Sequence, residues 1–189
     1  MLILASRSPR RREILTCAGI PHVVRPAEVD ETIRDGESAA VYVKRVARAK
    51  AEAVEAGPDD LVLGADTVVV AGSEILGKPA DQADAQRMLR QLAGREHIVM
   101  TGICLRHAEG TVEHAESTTV RFLPLSADEI DAYVASGEPM DKAGAYAIQG
   151  LASKFIDRIE GCYFNVVGLP VAKLYGFLRR LAPPITPAT

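Results

Sequence analysis

The chain alternates between two patterns of hydrophobic and polar residues. Short apolar runs bounded by turn residues predict strands, which cover residues 2–5, 22–25, 61–70, 74–76, 97–105, 111–123 and 155–159. Apolar residues spaced three and four apart predict helices, which cover residues 10–18, 38–56, 82–92, 126–136 and 171–181. Since strands and helices alternate through most of the chain, we expect an α/β fold with a mixed twisted sheet flanked by helices.

The stretch at residues 61–81 places charges inside an apolar pattern. Asp66 stands between an apolar run at residues 61–63 and three consecutive valines at residues 68–70. A carboxylate in such a run is unfavourable to bury unless its charge is used. Turn residues after the valines predict a hairpin, which would bring Asp66 and Lys78 near each other. The residues alone allow an acid and a base at one phosphate site, a buried ion pair, or a lysine in solvent.

A strand, a loop and a helix at the N-terminus gather a second set of polar groups. Ser8 is a predicted N-cap with Pro9 at the first helical position. Unpaired N–H groups and the helix dipole favour an anion at such a terminus. Arginines at residues 10–12 oppose the dipole, and a bound phosphate explains them better than a solvated basic turn. The polar side chains that this unit would bring to the anion are Ser6, Ser8, Arg10 and Arg11.

Four weaker signals lie further along the chain. Carboxylates clustered at residues 28–31 fit either a hard-cation site or a solvated loop. Lys50 lies on the apolar side of its predicted helix and is expected to point inward. Gly102 interrupts a strand, which indicates close approach of another backbone or of a ligand. Gln149 stands in a segment rich in small residues, 139–150, where it could read the edge of a base or belong to a plain surface loop.

Composition excludes several classes of protein. The chain has 189 residues, 48% hydrophobic and 25% charged, which is ordinary for a globular protein and allows one domain or two lobes. A net charge of −3 argues against a long nucleic acid as partner, although a small phosphorylated ligand is allowed. No apolar run is long enough for a signal peptide or a bilayer span, and the cysteines are far apart, so we expect a cytoplasmic protein without a membrane partner.

Seven ordered blocks of the sequence resemble the Maf family. They are LASRSPRR, EVDE, RVARAKA, GADTVV with a later GKP, MTG, EPMDKAGAYAIQG and NVVGLP. This resemblance implies a single Maf-like domain of two lobes over residues 1–181, elongated and with a central cleft. It further implies a relationship to the enzymes that remove inosine triphosphate. The Pro-rich residues 182–189 are expected to be a disordered tail.

The resemblance implies an activity as well as a fold. Maf proteins are hydrolases of nucleotide metabolism that release pyrophosphate from a nucleoside triphosphate and require a divalent cation, Mg²⁺ or Mn²⁺. A house-cleaning role, a link to septum formation and a homodimer belong to the same expectation. Arg10, Thr67 and Gln149 resemble the branch acting on pyrimidine nucleoside triphosphates, dTTP and UTP. A 7-methyl-GTP or broad-range pyrophosphatase and a non-catalytic nucleotide-binding regulator of division remain open.

The same resemblance assigns roles to single residues. Asp66 is expected to be the general base that activates water. The expected metal ligands are Asp30, Glu31 and Asp66. The triphosphate would be held by basic and hydroxyl side chains, namely Ser6, Ser8, Arg10, Arg11, Lys50 and Lys78. Gln149, together with Arg10 and Thr67, would select the base.

Overall fold

A computed structural model of the protein describes residues 1–181 of the chain, so the tail expected at residues 182–189 lies outside the described part. The strands are β1 (Leu2–Leu4), β2 (His22–Val24), β3 (Leu61–Ala71), β4 (Glu74–Leu76), β5 (Glu96–His107), β6 (Gly110–Phe122) and β7 (Ile156–Glu160). The α-helices are α1 (Pro9–Cys17), α2 (Ala39–Glu52), α3 (Gln82–Leu92), α4 (Ala127–Ala135), α5 (Tyr163–Val167) and α6 (Val171–Leu181). Short 3₁₀ helices cover Glu138–Asp141, Ala143–Ala145 and Leu151–Phe155.

The described strands form one mixed sheet. Its order is β2-β1-β3-β5-β6-β7, and β4 pairs with β3. Parallel pairing places Leu2 of β1 opposite His22 on one side and Leu61 on the other. Strand β4 is antiparallel to β3, with Val69 opposite Leu76, and β7 is antiparallel to β6. The mixed α/β fold and the hairpin after Asp66 are therefore confirmed.

The chain divides into two compact units, each with its own core. The described part of the first unit comprises residues 1–66, 101–116 and 168–181, and the second comprises Thr67–Met100 and Ser117–Val167. Small and aliphatic side chains fill a core cluster of the first unit: Ile3, Ala5, Ala47, Ala51, Val54, Val62 and Cys104. The second core is richer in aromatic rings, among them Phe122, Tyr133, Tyr146 and Phe155.

Polar side chains fix the starts of the helices. Ser8 caps α1, with Pro9 as its first residue, and Ser38 caps α2. Helix α4 begins with a capping box, in which the side chains of Ser126 and Glu129 each bond to the backbone of the other residue. Because these bonds satisfy N–H groups that have no partner inside the helix, the helix starts could be predicted from sequence.

The structure differs from the predicted elements in two places. Helix α2 ends at Glu52 rather than at residue 56, because Val54 packs into the first core and its carbonyl accepts a hydrogen bond from Arg106 at 2.6 Å. Residues 161–170, where the sequence pattern predicts neither a strand nor a helix, contain the short helix α5. Its buried Asn165 donates to the Val99 carbonyl at 2.9 Å and to the Thr118 hydroxyl at 2.8 Å, which holds the helical turn against two strands.

Candidate active site

Two glycines allow α2 to pack directly on the backbone of the sheet in the first unit. A Cβ atom added at Gly64 would lie 1.9 Å from the carbonyl oxygen of Ala47, and one at Gly102 would lie 2.2 Å from that of Val43. Only glycine tolerates such contacts. The close approach expected at Gly102 is therefore to the backbone of a helix.

This packing brings Lys50 of α2 to Asp66 of β3. The Nζ atom of Lys50 lies 2.8 Å from Oδ1 of Asp66 and 2.7 Å from Oε1 of Glu31. The side chains of Lys50 and Asp66 are only 9% and 10% exposed, so each compensates the buried charge of the other. The ion pair of Asp66 is with Lys50, on a helix outside the predicted hairpin. That the hairpin brings Lys78 near Asp66 stays a prediction.

Two side chains of α2 hold the acidic loop that carries Glu31. The Tyr42 hydroxyl donates to the backbone carbonyl of Glu31 at 2.9 Å. Arg45 donates to both carboxylate oxygens of Glu37, at 2.6 and 2.7 Å, and to the Thr32 carbonyl at 2.9 Å. This bidentate pairing lowers the pKa of Glu37 to about 2. Sequence reasoning missed Tyr42 and Arg45, although their spacing on one helix face after an acidic turn was the available signal.

Asp30 lies on the same loop but outside the Lys50 cluster. Its exposed carboxylate accepts the backbone N–H of Thr32 at 2.9 Å, and hydrogen bonding to Thr32 lowers the pKa of Asp30. Of the three expected metal ligands, Glu31 and Asp66 therefore converge on one point. Within residues 1–181, no three His, Cys, Asp or Glu side chains form a complete metal-binding group.

The Glu31 and Asp66 carboxylates nevertheless fit a hard divalent cation. One oxygen of each carboxylate already contacts a positive charge, the Lys50 ammonium. Carboxylate oxygens are also the donors that Mg²⁺ and Mn²⁺ prefer. The donor set is thus chemically suited to such an ion, and Asp30 adjoins it in the chain.

Arg11 of α1 is part of the buried framework of the first unit. Its Nη1 atom donates to the Ser6 hydroxyl at 3.1 Å and to the Ala65 carbonyl at 2.9 Å, and its Nε atom donates to the Gly168 carbonyl at 2.8 Å. Burial lowers the pKa of Arg11, while the nearby Asp66 carboxylate acts in the opposite direction. Arg11 therefore joins the loop before α1 to the residue that precedes Asp66.

The start of α1 has the predicted capping geometry. The Ser8 hydroxyl accepts the backbone N–H of Arg11 at 3.4 Å, and the backbone N–H of Ser8 donates to the Ser6 hydroxyl at 3.2 Å. Arg10 is half-buried in the first turn of the helix. The structure thus places Ser6, Ser8, Arg10 and Arg11 at one helix N-terminus, and their binding of phosphate remains a prediction.

The other three expected site residues, Thr67, Lys78 and Gln149, belong to the second unit. Thr67 is half-buried on β3, whereas Lys78 and Gln149 are exposed. The segment after β4 is tied to residues 139–150, since the Gly144 N–H donates to the Gly77 carbonyl at 3.0 Å. Gly144 has a φ of +67° and no room for a Cβ against Val69, so a glycine is required there.

Known proteins resemble this chain over nearly its whole length. The family description "Maf-like protein" matches residues 1–181. A dTTP/UTP pyrophosphatase of Anaeromyxobacter sp. (strain Fw109-5) is 53% identical over 189 residues, covering 97% of this chain and 91% of that protein. A dTTP/UTP pyrophosphatase of Koribacter versatilis is 52% identical over 180 residues, covering 95% of this chain and 93% of that protein.

One solved structure shows the same fold at much lower sequence identity. The Ham1 protein of Staphylococcus aureus matches with a TM-score of 0.51 and 13% identity, covering 96% of this chain and 99% of that chain. This likeness concerns the fold alone. Given the match across residues 1–181 and the identities above one half, the chain belongs to the Maf family.

Proposed function

We propose that the protein is a nucleoside triphosphate pyrophosphatase that hydrolyses dTTP and UTP to the nucleoside monophosphate and pyrophosphate. The observation that carries this proposal is the buried ion pair of Lys50 and Asp66, which Glu31 joins from the surface. Arg11 joins the N-terminus of α1 to the residue before Asp66. A carboxylate next to cationic groups suits hydrolysis of a polyanion, and relatives about half identical to this chain carry the name of that activity.

Asp66 is proposed as the general base. Its carboxylate would accept a proton from a water molecule, whose oxygen attacks phosphorus while the anhydride bond between the α- and β-phosphates breaks. The leaving group is pyrophosphate, and the proton passes to Asp66. General base catalysis of this kind typically contributes about 10²–10⁴ to the rate.

Lys50 and the acidic residues would act on the negative charge of the triphosphate, Lys50 by direct contact and the acidic residues by holding a cation. Lys50 has three N–H donors, so it can bond to a phosphate oxygen while it keeps a carboxylate partner. Mg²⁺ or Mn²⁺ bound by Asp30, Glu31 and Asp66 would neutralise phosphate charge and polarise the attacked phosphorus. Glu31, whose backbone carbonyl accepts a hydrogen bond from Tyr42, would supply one of the carboxylates that hold the cation.

The remaining expected residues would bind and select the substrate. Ser6, Ser8, Arg10 and Arg11 are proposed to hold phosphate oxygens at the start of α1, and Lys78 is proposed as a further phosphate ligand. Gln149, with Arg10 and Thr67, would select a uracil-type base. Such a base presents two carbonyl acceptors and one N–H donor, which a glutamine amide can match.

We also propose a setting for this activity. The protein would act in the cytoplasm as a homodimer, with a house-cleaning role. The net charge of −3 supports nucleotides as partners rather than a long nucleic acid. Within residues 1–181, no helix is long and apolar enough to cross a membrane. A link to septum formation stays a prediction from the family resemblance.

A substrate panel tests the proposal. Purified protein with Mg²⁺ should release pyrophosphate from dTTP and UTP at least about tenfold faster than from GTP or 7-methyl-GTP, the ratio expected from one well-formed hydrogen bond to the base. Faster release from 7-methyl-GTP, or equal release from all four, would indicate the other pyrophosphatase classes. Binding of dTTP without pyrophosphate release would indicate a non-catalytic regulator.

A further inference from the structure

The loop that carries Gln149 is held on both sides by a pair of side chains outside it. The Tyr133 hydroxyl oxygen accepts the backbone N–H of Ala147 at 3.2 Å, and Oε2 of Glu138 accepts that of Leu151 at 3.0 Å. The Tyr133 hydroxyl in turn donates to Oε1 of Glu138 at 2.8 Å. We call Tyr133 and Glu138 the loop clamp, since together they fix the backbone before and after Gln149.

Packing around the loop clamp leaves little room for another arrangement. A Cβ atom added at Gly150 would lie 2.2 Å from Oε2 of Glu138, so the loop rests directly on the carboxylate. Tyr133 is 4% exposed, and its ring packs edge-on against Phe155 with centroids 5.5 Å apart. Burial and the neighbouring carboxylate of Glu138 raise the pKa of Tyr133, so its hydroxyl stays a donor well above neutral pH.

We infer that Tyr133 and Glu138 are positioning residues for base selection, which act through Gln149 without touching the substrate. The inference rests on the proposed function, in which Gln149 reads the base. Gln149 is exposed, so its own side chain has little packing to fix it. An amide distinguishes donors from acceptors well only when its backbone is already ordered, because ordering a loop on binding weakens affinity.

Two conservative substitutions remove the clamp's hydrogen bonds while keeping its shape. Tyr133→Phe keeps the buried ring and deletes the hydroxyl, and Glu138→Gln replaces one of two acceptor oxygens with a donor. Each should raise KM for dTTP and UTP about five- to tenfold and lower the preference for dTTP over GTP by the same factor. The kcat for dTTP should stay within about twofold, since the lost interaction supports binding rather than chemistry.

A matched control separates positioning from general destabilisation of α4. Ser126→Ala removes the capping box at the other end of the same helix, away from the loop, and should leave the preference for dTTP unchanged. The double variant of Tyr133→Phe and Gln149→Ala should lose no more of the preference for dTTP over GTP than Gln149→Ala alone, because the loop clamp acts through the Gln149 side chain. Amide hydrogen exchange at Ala147 and Leu151 should accelerate in both clamp variants but not in the control.

The results separate this inference from the proposed function. Folded Tyr133→Phe and Glu138→Gln proteins with the wild-type preference for dTTP would overturn the inference. A double variant of Tyr133→Phe and Gln149→Ala whose loss of preference is the product of the two single losses would also overturn it. A wild-type protein that binds dTTP without releasing pyrophosphate would overturn the proposed function instead. In that case the dTTP affinity of the two clamp variants decides the inference: a five- to tenfold weaker affinity supports it, and an unchanged affinity overturns it.

Discussion

At the scale of single residues, the central feature is Lys50, which contacts both carboxylates of the candidate site. Its ammonium lies within 2.8 Å of both Asp66 and Glu31, and its side chain is 9% exposed. The side chain of Glu31 is 48% exposed, so water already screens that charge. The pair with Asp66 is the one in which each charge depends on the other for compensation.

Substituting Lys50 should therefore destabilise the protein through Asp66. We expect Lys50→Met to lower the free energy of unfolding by about 3–5 kcal/mol, because it removes the ammonium that is hydrogen-bonded to the buried Asp66 carboxylate. Adding Asp66→Asn should recover part of that loss. Denaturant unfolding of both single variants and the double variant measures the coupling. Lys44→Met, on the same helix, is the control and should change stability by less than about 0.5 kcal/mol, and strictly additive effects of the two site substitutions would contradict the account.

The sequence indicated which charged residues are buried but not which residues they pair with. Helical spacing placed Lys50 on the inner face of α2, as the structure confirms. The pairing of Lys50 with Asp66 could not be predicted, since it depends on which strand the helix crosses. A hairpin relates only neighbouring segments of the chain, so the hairpin after Asp66 could not indicate a partner on α2.

The seating of α2 on the sheet is the feature that matters most at the scale of elements. Gly64 of β3 and Gly102 of β5 lie on neighbouring strands, and each contacts the backbone of α2. Because no side chain separates the helix from these strands, the short reach of an aspartate is enough to meet Lys50. The glycines thus determine the geometry of the candidate site without contributing a functional group.

Gly64→Ala should move the helix and weaken the site. The added Cβ would meet the Ala47 carbonyl oxygen at 1.9 Å, and we expect a loss of about 3 kcal/mol in the free energy of unfolding. Pyrophosphate release should fall as Lys50 moves away from Asp66. Gly176→Ala, whose added Cβ meets nothing within 4 Å, should be neutral or slightly stabilising. A Gly64→Ala protein as stable and active as wild type would show that α2 adapts freely.

Element boundaries were predictable where local chemistry sets them. The cap predicted at Ser8 and the helix starts predicted at residues 38 and 126 depend on local signals, and the structure has caps at Ser8, Ser38 and Ser126. Helix α5 was missed because its Asn165 bonds to residues of β5 and β6, which are remote in the chain. Periodicity carries no information about such bonds.

Buried groups of one unit affect the stability of the whole molecule as pH changes. His97 is 3% exposed in the second unit, with Nε2 2.8 Å from the Tyr146 hydroxyl and its ring edge-on to Phe122. Desolvation lowers the pKa of His97 from 6.5 to about 4. Between these two values the unfolded chain binds more protons than the folded one, so the free energy of unfolding falls as pH falls.

Replacing His97 should remove this part of the acid sensitivity. The contribution of His97 is fully present above pH 6.5, the unfolded value, and is lost as pH falls to about 4, a change of about 3 kcal/mol. Denaturant unfolding at pH 7 and pH 4 should therefore show a smaller difference for His97→Gln than for wild type. His107→Gln should keep the wild-type difference. An unchanged pH dependence in His97→Gln would contradict a neutral, buried imidazole.

The fold class of the whole molecule was predictable, whereas its strand order was not. Alternating strands and helices predicted a mixed sheet, but β1, β3 and β5 are neighbours although long segments separate them in the chain. The family assignment depended instead on seven ordered sequence blocks and agrees with the match to residues 1–181. The seven blocks indicate the family because the chemistry of a site restricts which residue types it can use. The order of strands in the sheet depends instead on packing between segments that are remote in the chain.

Pyrophosphate release from dTTP by the Asp66→Asn variant, compared with wild type at saturating Mg²⁺, tests the central claim most directly. The substitution keeps the size of the side chain, and circular dichroism with a thermal unfolding curve checks that the fold is retained. We expect wild type to turn over dTTP and the folded variant to lose at least about a hundredfold in rate, the range for removal of a general base. A folded Asp66→Asn protein with full activity would contradict the assignment of Asp66, and a wild type that releases no pyrophosphate from dTTP or UTP would contradict the proposed function.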